Sequence, residues 1–170
     1  FYAALVHHAH DAGLKVAVDS SGAPMAAALG AAPDLIKPNR IELAEAVGRE
    51  LLSVGAVVDA ARDLISSGVG TVVVSLGRDG ALLVDAGQVV HAAAAISRPL
   101  STVGAGDSLL AGYLHGVHAG DEPSAALVRA VAFGAAAVML PGSEMPGPAQ
   151  VAAVQVSVDR SPDPSRPLTD

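Results

Sequence analysis

Val72-Val73-Val74-Ser75-Leu76 runs directly into Gly77-Arg78-Asp79-Gly80, and the reading of this stretch decides the fold. A continuous run without polar alternation suits a strand covered on both faces, as central strands of parallel sheets are. The two glycines then turn the chain. Ala81 to Asp85 and Gln88 to Ala92 read as a hairpin about Ala86-Gly87. Upstream, Lys15 to Asp19 and Asp34 to Lys37 are short strands, the second stopped by Pro38. Ser20-Ser21-Gly22-Ala23-Pro24 between them reads as a turn, followed by a turn or two of helix at Met25 to Leu29. Phe1 to Ala12 reads as the later part of a helix ended by Gly13. Asn39 to Val47 is helical. Val57, Val58, Ala61, Leu64 and Ile65 recur at helical spacing up to Gly68. Downstream, one helix is expected from Gly104 to about His118. A second, small and apolar and therefore buried, runs from Glu122 to Leu140. Ser161 to Asp170 carries three prolines and reads as disordered. Strands alternating with helices predict an α/β fold with a mostly parallel sheet flanked by helices.

Composition narrows the function. The chain has 170 residues, a formal charge of −7, 51% hydrophobic and 16% charged residues, enough for one domain with a core. With two Phe, two Tyr and no Trp, that core is aliphatic. An acidic balance without a Lys/Arg stripe argues against a nucleic-acid groove or an anionic membrane surface. The absence of Cys excludes disulfides, iron–sulfur clusters, thiolate zinc sites and a Cys nucleophile. The longest apolar stretch, Ala130 to Pro141, falls short of the roughly eighteen residues of a spanning helix. No basic region precedes an apolar run at the start, so the expectation is a cytoplasmic protein. The first residue is Phe1, not Met, so part of the chain is expected to precede it.

Three loops could hold a nucleotide. In Gly104-Ala105-Gly106-Asp107-Ser108, glycines at a helix start let backbone N–H groups approach an anion along the positive end of the helix dipole. An Asp there suits that dipole and could accept the proton of an attacking hydroxyl. An ordinary helix start explains the same residues. In Lys37-Pro38-Asn39-Arg40-Ile41-Glu42, Lys37 at a strand end could meet a phosphate and Glu42 could hold Mg²⁺ through water. Asn39 and Glu42 also stand at capping-box spacing, a purely structural alternative. Ser75 to Gly80 leaves a strand at its carboxyl end, where ligands sit in open α/β sheets, yet Asp79-Gly80 is also a common turn. His7, His8, His10 and Asp11 form a cluster best read as a solvated helix end.

Taken in order, these motifs resemble the carbohydrate-kinase family of the ribokinase-like fold, in its minor-type phosphofructokinase group. Lys37-Pro38-Asn39 with Glu42, the Ser75–Gly80 loop and Ser101-Thr102-Val103-Gly104-Ala105-Gly106-Asp107-Ser108 carry the likeness, joined by Asp19-Ser20-Ser21-Gly22. The resemblance implies a three-layer domain of which residues 1–158 are the C-terminal, nucleotide-binding half and 159–170 a disordered tail. The N-terminal half, with most sugar contacts and a β-sheet lid, would precede it. It implies transfer of the ATP γ-phosphoryl to a sugar phosphate, fructose 1-phosphate by the wording of the motifs, with tagatose 6-phosphate the alternative. Asp107 would be the base, and the N–H groups of Gly104, Ala105 and Gly106 the anion hole. Lys37, Asn39, Ser75, Leu76, Gly77, Arg78, Asp79 and Gly80, with Gly106 and Asp107, would bind ATP, and Glu42 would organise Mg²⁺ through water. A sheet edge left uncovered invites pairing with a second copy, a homodimer. From another class stands a non-catalytic nucleotide-binding module.

Overall fold

In the computed structural model, which describes residues 1–96 and 98–169, the chain forms two compact units. The first comprises Phe1–Leu76, Leu82–Val89 and Ser161–Leu168. The second is built on Gly77–Ala81 and Val90–Arg160, joined by Thr169. Six strands follow one another in a single sheet order, β1 (Ala17–Val18), β2 (Leu35–Ile36), β3 (Thr71–Ser75), β4 (Ala81–Val84), β5 (Val89–Ala94) and β6 (Val156–Asp159).

In the first unit, β1 pairs with β2 and β2 with β3, both in parallel, with Val18 opposite Ile36 and Ile36 opposite Val72. Parallel neighbours need crossovers, and helices supply them. These are α2 (Gly22–Leu29) between β1 and β2, then α3 (Arg40–Val47) and α4 (Val54–Ser66) between β2 and β3, all preceded by α1 (Tyr2–Asp11). The apolar run at β3 is buried as its pattern requires, Val72, Val73 and Val74 each being at most 1% exposed. Around it pack Ile36, Leu43, Val54, Val57, Leu82 and Val84. Burying each such side chain is worth about 2 kcal/mol against leaving it in water.

Two helices dominate the second unit, α5 (Ala105–Ala119) and α6 (Pro123–Val138), followed by the short α7 (Pro148–Ala152). Small residues set how closely α5 and α6 approach: a methyl added at Gly112 would lie 2.9 Å from the Arg129 carbonyl and the Phe133 side chain. The buried character expected of α6 holds, with Leu127, Ala130 and Ala136 almost fully enclosed.

The sheet is mixed: β1, β2 and β3 run parallel as expected, and β6 runs antiparallel to β5, with His91 opposite Asp159. Readings of three shorter stretches need correction. The turn read at Ser20–Pro24 is already helix from Gly22, since Pro24 lies in the first turn of α2, where the missing N–H costs no hydrogen bond. Both α7 and β6 were not foreseen. The stretch from 159 is not a loose tail over its described residues. Val54 N–H donates to Arg166 O (3.0 Å), Gly55 N–H to Pro164 O (2.9 Å) and Leu168 N–H to Leu52 O (3.0 Å). The start of α4 offers N–H groups that need acceptors, and this segment supplies them. Asp170, at the end of that tail, lies outside the described residues.

Candidate active site

The parallel register of β1 and β2 brings Asp19 and Lys37 out side by side, one residue beyond the paired Val18 and Ile36. Lys37 is only 5% exposed, and its Nζ stands 3.2 Å from Asp19 Oδ2. Two residues on, Asn39 caps α3: its side chain accepts from Glu42 N–H, and Glu42 Oε2 accepts from Asn39 N–H, both at 2.8 Å. The capping box is therefore real. Asn39 also bridges Ser75 in parallel, and Ser75 N–H donates to Pro38 O at 3.0 Å. The first motif and the start of the second thus meet where β2 and β3 end.

Leaving β3, the chain makes a 3₁₀ turn at Gly77–Asp79, closed by Gly80 N–H donating to Gly77 O (3.2 Å). Gly80 has φ +89°, and a methyl there would run into the carbonyl of Ala92, so no other residue fits unstrained. Arg78 is exposed. Asp79 is held on two sides. Its carbonyl accepts from Nε2 of buried His91 (2.6 Å), and its carboxylate accepts from Thr169 N–H (2.7 Å) and Thr169 Oγ1 (2.8 Å). Sequence reasoning named neither His91 nor Thr169, and their separations of 12 and 90 residues explain why.

The third motif opens α5. Gly104 is its N-cap at φ +76°, with no side-chain cap, and nothing lies within 4 Å of the position a side chain would take there. First-turn N–H groups without a side-chain cap, with a dipole behind them, are the kind of donors an anion can use. Ala105 N–H donates to Thr102 O at 3.2 Å, which commits one of the three groups read as an anion hole. Asp107 is exposed in the first turn, and beside it the hydroxyl of Ser108, 4% exposed, is buried without a partner among the described residues.

Among the described residues no three His, Cys, Asp or Glu side chains gather into a metal cage. Mg²⁺ does not need one, since it commonly takes one carboxylate together with substrate phosphates. Glu42, with one oxygen engaged in the cap, fits that habit. In the histidine cluster, His10 Nε2 pairs with Asp34 Oδ2 at 2.9 Å. Elsewhere in the second unit, Asp121, Ser124, Val128, Arg129, Val151 and Arg160 line an open groove of about 470 Å³. Asp121 there accepts from both Nε and Nη2 of Arg129.

Residues 1–149 match the family described as pfkB family carbohydrate kinase. The chain belongs to this family. It is 41% identical over 157 residues to the 1-phosphofructokinase of Rhodobacter capsulatus, covering 92% of this chain and 50% of that protein. Against the 1-phosphofructokinase of Escherichia coli K12 it is 39% identical over 144 residues, covering 85% and 46%. The chain thus spans about half the length of the curated relatives it matches. Phosphofructokinase-2 of E. coli, solved in complex with potassium, superposes with a TM-score of 0.85 at 33% identity, over 89% of this chain and 50% of that one. Ribokinase of Arabidopsis thaliana, solved with ribose and ATP, gives 0.80 at 23% identity over 89% and 50%, a likeness of fold. The ribokinase-like fold expected from the motifs is therefore the fold observed. No helix among the described residues is long and apolar enough to cross a membrane.

Proposed function

We propose that this chain is the nucleotide-binding half of an ATP-dependent sugar-phosphate kinase acting on fructose 1-phosphate. The observation that carries the reading is the uncapped start of α5, open in front of Gly104 and with Asp107 exposed in its first turn. Family membership and the names of the relatives support the class and the sugar. In the proposed step the sugar hydroxyl oxygen attacks the γ-phosphorus, its proton passes to the Asp107 carboxylate, and the bond to the β–γ bridging oxygen breaks to release ADP. The N–H groups of Gly104 and Gly106 face the moving phosphoryl group. Ala105 N–H joins them only by giving up Thr102 O. Ser75, Leu76, Gly77, Arg78, Asp79 and Gly80 line the nucleotide, with Lys37 and Asn39 toward its phosphates. Mg²⁺, held through water on Glu42, neutralises charge between the β- and γ-oxygens when bound.

Lys37 differs from a simple phosphate ligand, because its ammonium is already paired with Asp19. In this reading the pair holds the buried Lys37 side chain in place for the nucleotide. The test is ADP release from Mg-ATP with fructose 1-phosphate or tagatose 6-phosphate. Asp107→Asn should lower sugar-dependent release by about a thousandfold while ATP binding is kept. Release undiminished in that variant would remove Asp107 from its role. The second reading is a nucleotide-binding module without transfer. ATP binding without release under either sugar would select it.

A further inference from the structure

The segment 161–169 lies beyond the stretch that matches the family, residues 1–149. Its prolines and charges predict no order, yet its described residues are tied down. Asp163 Oδ1 accepts from Ser165 N–H (2.9 Å) and Ser165 Oγ (2.7 Å), and Arg166 N–H returns to Asp163 O (3.2 Å). Pro167 then bridges Ser53, and Leu168 N–H reaches Leu52 O. The segment ends with both donors of Thr169 on one oxygen of Asp79, in the turn between β3 and β4.

We propose that Thr169 is a positioning residue for the nucleotide, a strap that fixes the Gly77–Gly80 turn through the Asp79 carboxylate. The inference rests on reading that turn as part of the nucleotide site. Two glycines at φ +60° and +89° leave the turn free to take other shapes when unbound, and freezing it on binding costs conformational entropy. Two donors on an ionised carboxylate make strong bonds, and His91 holds the carbonyl of the same residue. Asp79 is thereby fixed at its backbone and its side chain before any nucleotide arrives. The same bonds keep its negative charge engaged, away from an incoming polyphosphate.

Ending the chain at Leu168 removes both donors, and Thr169→Ser keeps both. Two readouts are needed on the otherwise complete chain: amide hydrogen exchange at Gly80 without nucleotide, and the dissociation constant of Mg-ATP by calorimetry. The shortened chain should exchange at Gly80 about tenfold faster and bind Mg-ATP about fivefold more weakly, with its melt unchanged and Thr169→Ser behaving as the parent. Unchanged exchange in the shortened chain overturns the strap. Faster exchange with unchanged affinity overturns the positioning role. A parent chain that binds no Mg-ATP overturns the nucleotide-loop reading, and the positioning role with it, while the exchange data still decide the strap.

Discussion

Lys37, 5% exposed, places its side-chain amine 3.2 Å from the carboxylate of Asp19. Removing one partner of such a pair leaves a charge with poor solvation, which costs more than the pair itself contributes. Asp19→Ala should therefore destabilise the chain by about 3 kcal/mol in urea unfolding. A loss under about 1 kcal/mol would mean that Lys37 finds other compensation, as an exposed ion pair would allow. The pair also marks a limit of sequence reading. Asn39 and Glu42 announce their cap because the partners lie three residues apart, a local rule. Asp19 stands beside Lys37 only through the parallel register of β1 and β2, and no spacing along the chain encodes that.

At the scale of elements, what was legible followed local chemistry. The strand at β3, the cap of α3 and the glycine start of α5 each stand within a few residues of their own signal. The hidden elements depended on partners. In β6, Val156 and Val158 alternate as a strand should, but four residues are a weak signal after a Pro- and Gly-rich approach. Its pairing with β5 decides the matter. The turn after β3 shows the converse, a short segment whose sequence is nearly prescribed by its surroundings. Gly80→Ala must bring a methyl against the Ala92 carbonyl and hold φ at +89°. We expect a loss above about 1 kcal/mol, where Gly-to-Ala at a compatible position would instead stabilise by up to about 1 kcal/mol, with Mg-ATP affinity lowered as well. Gly104→Ala meets nothing within 4 Å, so its cost is strain alone and should be smaller. Equal losses for the two variants in thermal unfolding would show that packing at Gly80 has no part.

Across the molecule, the α/β class, the order of the motifs and the family were legible from sequence, whereas the seat of residues 161–169 was not, because it depends on N–H groups of α4 that lie more than a hundred residues earlier. In the first unit a carboxylate also links separate elements. Burial works against the charge of Asp34, but Val16 N–H (2.8 Å) and His10 together hold its carboxyl below the ordinary 3.8. A group with a lowered folded pKa stabilises above its unfolded value, and that contribution is lost as the pH falls through the folded one. The advantage of the parent over Asp34→Asn should thus be present above pH 3.8 and shrink as the pH falls below it. An advantage unchanged in strong acid would show that the bonds do not depend on the charge.

The central claim, that the motifs of this chain build a Mg-ATP site, meets its most direct test in a titration of isotope-labelled chain with Mg-ATP, followed by amide cross-peaks. The account predicts that Gly77 to Gly80 and Gly104 to Asp107 shift together and saturate with one dissociation constant. Shifts confined to the groove of Asp121, Arg129 and Arg160, with both glycine loops unmoved, would contradict it.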